Sequence, residues 1–98
     1  MTDAELFLCC FLWAAPGEEA ALERYEDRVL AFVAEHRGAV VQRARSDGAD
    51  GRPNEVQLFR FDDQGALQAY LGDPRRLALA DERDRVVART ELFPVTPL

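Results

Sequence analysis

The 98-residue chain contains no lysine; all 12 of its basic side chains are arginine. Imine chemistry, pyridoxal phosphate anchoring and the P-loop lysine are therefore excluded. His36 is the only histidine and Ser46 the only serine. Ser46 opens a Gly- and Asp-rich stretch, residues 46–54, where a fixed nucleophile geometry is hard to hold, so a serine triad is not expected. One histidine and two adjacent cysteines cannot build a structural zinc site, and a single chain lacks the second histidine of an iron facial triad. Neither a G-x-G-x-x-G turn nor a G-x-S-x-G elbow is present. No metal, nucleotide or other cofactor is expected. Cys9 and Cys10 are neighbours on a strand, where their side chains point to opposite faces, so they read as separate buried thiols in a reducing compartment. The apolar run 6–15 is too short to span a bilayer, and Asp3 and Glu5 are acidic where a signal peptide would be positive, so no membrane association and a cytoplasmic location are expected.

Hydrophobic residues make up 48% of the chain and charged residues 31%, which is a globular balance rather than a disordered one. A single domain of this length buries only about 65% of its unfolded surface, so self-association would help it. Against those 12 cations stand 18 carboxylates, a net charge of -6, which is the wrong sign for a nucleic-acid partner.

The apolar run supplies a first strand over residues 6–14. Leu6, Leu8, Cys10 and Leu12 lie on one face and Phe7, Cys9, Phe11 and Trp13 on the other, so both faces need cover. Pro16-Gly17 breaks it. A helix over 18–35 follows, with Leu22, Tyr25, Val29, Phe32, Val33 and His36 on one stripe, and Gly38 is placed to end it. Residues 39–45 predict a second strand, with Val41, Arg43 and Arg45 on one face and Val40, Gln42 and Ala44 on the other. Residues 55–61 predict a third, with Val56, Leu58 and Arg60 opposite Gln57, Phe59 and Phe61. The segment between them reads as a long mobile hairpin tip. Asp62 or Asp63 caps a second helix running to Leu71, and Gly72-Asp73-Pro74 interrupts it. A short helical piece over 75–83 reads as solvated and charged. A last strand covers 86–93, beyond which Pro94 and Pro97 are expected to leave the sheet.

The order β-α-β-β-α-β is the ferredoxin-like pattern: an α+β sandwich with a four-stranded antiparallel sheet, both helices on one face and the first strand central. The second apolar row of that strand then meets no helix. A homodimer packed sheet to sheet is the simplest cover.

Tyr25-Glu26 and Val29, then His36-Arg37-Gly38, then Phe61-Asp62, Tyr70, Asp73-Pro74-Arg75 and Arg83 form an ordered series from about Phe11 to Val95. In it the chain resembles the dimeric α+β barrel superfamily, and within that a group of small bacterial proteins with a His-Gly-Gly motif, whose first glycine is Arg37 here. The resemblance implies a ligand cleft between the helices and the sheet of each protomer. It also implies a range of chemistries, from cofactor-free monooxygenases and polyketide cyclases to haem-degrading enzymes, dehydratases and isomerases, so fold alone assigns none of them. The only asparagine, Asn54, lies in a loop, a departure from the Asn and Trp pairing of the monooxygenases.

His36 shares the helical stripe with Tyr25 and is the candidate general base; the alternative is a histidine bonding a helix-end carbonyl. Tyr25 is the candidate donor to a substrate oxygen or a core aromatic. Arg43, Arg45 and Arg60 stand on paired strands and suit an oxyanion, or else a cross-strand ion network with Glu55 or Glu91. Trp13 walls a pocket or plugs the barrel end, Phe32 adds an apolar wall, and Tyr70 is expected to face Tyr25 across the cleft. Together these residues suit a small hydrophobic or aromatic ligand. The expected function is metal-free and nucleotide-free cyclisation, isomerisation or oxygenation of such a metabolite; the alternative is a non-catalytic binding or interaction module.

Overall fold

The computed structural model describes residues 5–98, so Asp3 lies outside the described residues. β1 (Leu6–Ala14) is followed by α1 (Glu19–Leu30), β2 (Gly38–Arg45), β3 (Glu55–Phe61), α2 (Gln64–Leu71), α3 (Pro74–Leu77), α4 (Ala80–Val86) and β4 (Val87–Val95). The strands form one antiparallel sheet in the order β2-β3-β1-β4, with the helices on one face. The alternation in the two central strands sorts their side chains. Leu8, Cys10 and Leu12 of β1 and Phe59 and Phe61 of β3 are buried under the helices, joined by Leu22, Tyr25 and Val29 of α1 and by Leu67 and Tyr70 of α2. Phe7, Cys9, Phe11 and Trp13 face the other way and are only half-buried.

Five local features differ from the expectations. The first helix stops at Leu30, and its continuation tightens into a 3-10 turn over Val33–His36 in which the Glu35 amide bonds the Phe32 carbonyl. The chain is turned there by Arg37, not Gly38. Arg37 adopts the left-handed conformation (φ 58), and its guanidinium offsets part of that strain by bonding both Asp63 oxygens at 3.0 and 3.1 Å. Gly38 instead begins β2. A bulge between Val40 and Gln42 breaks the alternation of β2, so Val40, Arg43 and Arg45 share the helix-side face while Val41 is left unpaired and exposed. The charged segment after Pro74 divides into α3 and α4. Pro94 stays in the sheet opposite Leu8, which an edge strand tolerates because its outer side needs no donor.

The hairpin tip is tied down. The Trp13 indole N–H donates to the Gly51 carbonyl at 2.9 Å, and Asn54 Oδ1 accepts from the Ala14 amide at 2.8 Å. Asn54 also donates its own amide to the Leu12 carbonyl, fastening the tip to β1.

Candidate functional site

Between α1, the α2–α3–α4 segment and the β1–β4 half of the sheet lies a cleft of about 60 Å³. Its walls are apolar: Leu12 and Leu92 from the sheet, Val29 and Leu30 from α1, Phe59 from β3 and Leu71 from α2. Its polar groups converge from separate elements, Tyr25 and Glu26 from α1, Gln57 from β3, Arg76 from α3 and Arg83 from α4. An apolar hollow with a few convergent polar groups is the usual form of a small-molecule site. The inner volume holds only one end of a small molecule. The remainder would lie at the mouth, where Arg83, Thr90 and Leu92 are exposed.

Tyr25 is 2% exposed, and its hydroxyl has no hydrogen-bond partner among the described residues. Burial raises its pKa, so it is a neutral donor at physiological pH. Tyr70, facing the same cleft, is already committed: its hydroxyl donates to the Val29 carbonyl at 3.1 Å, and burial pushes its pKa up to about 12. Arg76 stacks over the Tyr70 ring at 5.3 Å and donates from Nη1 to the Leu71 carbonyl, yet its Nε is buried without a partner among the described residues. Buried orphan donors are uncommon in folded proteins. Cys10 also lines the cleft as a protonated thiol, its pKa pushed up to about 12 first by burial and then by the nearby Glu26.

Of the seven residues expected in the site, Tyr25 and Tyr70 line the cleft and the other five do not. His36 lies behind Tyr70, its ring 6.3 Å from the tyrosine, and Nε2 is 2.7 Å from Asp73 Oδ2. Its partner is thus a carboxylate rather than a helix-end carbonyl. Asp73 also caps α3 by accepting from the Arg75 amide, and the Arg75 guanidinium beside it holds its carboxyl far below the usual range. Phe32 lies under the same Arg75 guanidinium at 4.3 Å. Trp13, on β1, reaches the hairpin tip through its indole N–H, with Arg89 over its ring at 4.3 Å. Arg43 and Arg60 occupy opposite faces of the sheet. Arg43 serves Glu55 and Asp27 on the helix side, while Arg60 pairs with Glu5 and Asp62 on the open side. They do not form a single oxyanion site, and of the two readings the ion network is the one observed. The open depression beside Arg43, about 220 Å³, is lined by Glu23, Asp27, Arg45 and Glu55 as well, and both of its cations are already paired.

Sequence reasoning missed Glu26, Gln57, Arg76 and Arg83. Glu26 had a signal: it falls midway between Leu22 and Leu30 at i+4 spacing, on the inner stripe, although its neighbours Glu23 and Asp27 read as solvent-facing. Arg76 had none, because α3 is four residues long and carries no period.

Glu26 is 6% exposed, and its one hydrogen bond comes from Gln57 Nε2 at 2.7 Å. Burial raises its pKa, Glu55 adds to the rise, and the Gln57 donor opposes both. A carboxyl whose folded pKa exceeds its unfolded one adds stability below the unfolded value and loses it as pH climbs to the folded value. Glu26→Gln should therefore raise the melting temperature at pH 8 and leave it unchanged or lower at pH 4, by calorimetry; the reverse order would contradict the raised pKa.

No protein-family model and no curated protein matches the chain. Solved structures do. PA3566 from Pseudomonas aeruginosa superposes with a TM-score of 0.76 at 20% identity, over 100% of this chain and 98% of that one. The fold is ferredoxin-like α+β. SnoaB, a cofactor-independent oxygenase from Streptomyces nogalater, shares that ferredoxin-like fold with a TM-score of 0.70 at 21% identity over 97% and 96% of the two chains. A nipsnap family protein of unknown function from Agrobacterium tumefaciens shares it with a TM-score of 0.75 at 13% identity over 99% and 94%. Among the described residues no helix is long and apolar enough to cross a membrane.

Proposed function

We propose that the protein binds a small hydrophobic or aromatic metabolite, one end in the cleft, and acts on it without metal or nucleotide, by cyclisation, isomerisation or oxygenation. One observation carries this reading: Arg76, whose Nε is buried without a partner among the described residues, lines the same apolar hollow as the Tyr25 hydroxyl, which makes no hydrogen bond to a described residue. Leaving a buried donor such as Arg76 Nε unpaired costs about 1–3 kcal/mol, which a ligand oxygen would recover. That SnoaB, with the same fold, is a cofactor-independent oxygenase supports chemistry of this kind. In this reading Tyr25 donates to the ligand, while Tyr70 and His36 brace the wall from behind.

The unit that acts is a dimer. Phe7, Phe11, Val56, Leu58 and Phe93 share the open sheet face, half-buried within one chain, and a second copy of that face would finish their burial. Native mass spectrometry tests both parts at once. Micromolar protein should fly at twice the 11.0 kDa chain mass and retain 1-naphthol, with Tyr25→Phe retaining it about fivefold less tightly, the worth of one hydrogen bond of ~1 kcal/mol. A monomer would sink the sheet-to-sheet reading. Unchanged affinity in the variant would sink the cleft.

A further inference from the structure

We propose that Glu26 is the general acid–base residue of this cleft, and that its substrate is an enolisable carbonyl compound whose acidic C–H proton it removes and returns. The inference rests on the cleft being a small-molecule site. A buried carboxylate is normally paired with a cation. Glu26 is not, among the described residues. Its Oε1 accepts from Gln57 Nε2, and the same amide nitrogen donates to Glu55 Oε2 at 2.8 Å, so one NH2 group bridges two carboxyls. The Arg43 guanidinium takes both oxygens of Glu55, at 2.7 and 3.2 Å. Glu55 thus carries the paired negative charge, and it repels a second one at Glu26.

The groups around Glu26 come from every neighbouring element: Gln57 and Glu55 on β3, Arg43 on β2, Cys10 on β1, Tyr70 on α2, Arg76 on α3 and Arg83 on α4. Burial and Glu55 favour the proton; Gln57, Arg43 and Arg76 favour the charge. Such opposed influences bring both protonation states within reach, which a general acid–base group needs. Glu26 Oε2 has no hydrogen-bond partner among the described residues, and the residue lines the cleft. The step balances without a co-reactant. The C–H bond beside the carbonyl breaks, the proton goes to Glu26 Oε2, and the electron pair moves onto the carbonyl oxygen as an enolate. Arg76 and Tyr25 line the same cleft and would supply the donors to that oxygen. Return of the proton to the same carbon, or to a conjugated one, restores the carboxylate and gives exchange or isomerisation.

The test uses 2-tetralone in D2O. Proton NMR should show the full-length protein accelerating loss of the C1 proton signals, with Glu26→Gln at least 100-fold slower. The native rate should rise through one ionisation lying above the ordinary carboxylate range. Gln57→Leu removes the donor that favours the charged form, so it should move that ionisation to higher pH. This second variant decides the matter even if Glu26→Gln does not fold. Saturation-transfer NMR reads binding separately. Bound 2-tetralone with no accelerated exchange, an undiminished rate in Glu26→Gln, or a profile unmoved by Gln57→Leu overturns the role of Glu26 and leaves the cleft standing. Absence of binding overturns both.

Discussion

Arg43→Ala is expected to lower the unfolding free energy by about 3 kcal/mol at neutral pH, read from the midpoint of a urea transition. Arg43 joins β2, β3 and α1 by charge, bonding Glu55 through two nitrogens and Asp27 through a third at 2.6 Å. Glu55 is 3% exposed, at the start of a central strand. Truncating its partner leaves an anion in the interior with only the Gln57 amide to hold it. Breaking a buried pair from one side typically costs about 3–5 kcal/mol, and the lower end applies because Arg43 is itself 31% exposed and water can follow it in. The cost belongs to the orphaned charge rather than to the attraction. Arg43→Met combined with Glu55→Leu should therefore recover most of the stability, since an apolar pair of similar volume avoids the desolvation. A loss below about 1 kcal/mol in Arg43→Ala would mean that solvent already screens the pair, as it does for exposed ion pairs. Glu26 would then lose the charged neighbour that distinguishes it from an ordinary buried carboxyl.

That network also marks where the sequence was legible. Strict alternation in β1 and β3 reveals both faces because each side chain meets either helices or the open side. β2 departs from alternation between Val40 and Gln42. Val40-Val41 looks like continuous strand, but the bulge there turns Arg43 and Arg45 onto the helix side with Val40. A bulge is set by the pairing partner, and nothing in a Val-Val pair announces it. The inner stripe of α1 gave Tyr25. It also placed Glu26 by spacing but not by chemistry, since a carboxylate among carboxylates is ordinarily solvated, and what makes this one different is Gln57, 31 residues away. Long-range partners explain the other miss too. His36 was expected on the helical stripe, but α1 ends at Leu30, His36 closes the 3-10 turn beyond it, and Asp73, 37 residues on, holds its imidazole behind Tyr70.

The largest packing effect is expected at Gly38. A methyl group there would lie 2.6 Å from two ring carbons of Phe61 and 2.8 Å from Val33 Cγ1, closer than carbon atoms approach. The residue does not occupy a left-handed conformation, so the constraint is space, not backbone freedom. Gly38 faces Phe61 across the β2–β3 ladder, and Phe61 is fully buried with its ring 5.6 Å from Tyr70. Neither Val33, 1% exposed at the start of the 3-10 turn, nor fully buried Phe61 has room to retreat. Gly38→Ala should cost about 2–3 kcal/mol by overpacking. Phe61→Leu alone should also destabilise, by removing ring contacts. In the double variant the smaller side chain vacates the volume the methyl needs, so the two losses should fall short of their sum by about 1 kcal/mol or more. Urea unfolding of the three variants measures this directly. The strain has a route to the cleft, because a displaced Phe61 presses on Tyr70, whose hydroxyl anchors Val29 on the cleft wall. Gly38→Ala should thus weaken retention of 1-naphthol as well as stability, and Phe61→Leu should restore part of both. Strictly additive losses would mean that the ring yields without resistance and that Gly38 is there for some reason other than the space Phe61 fills.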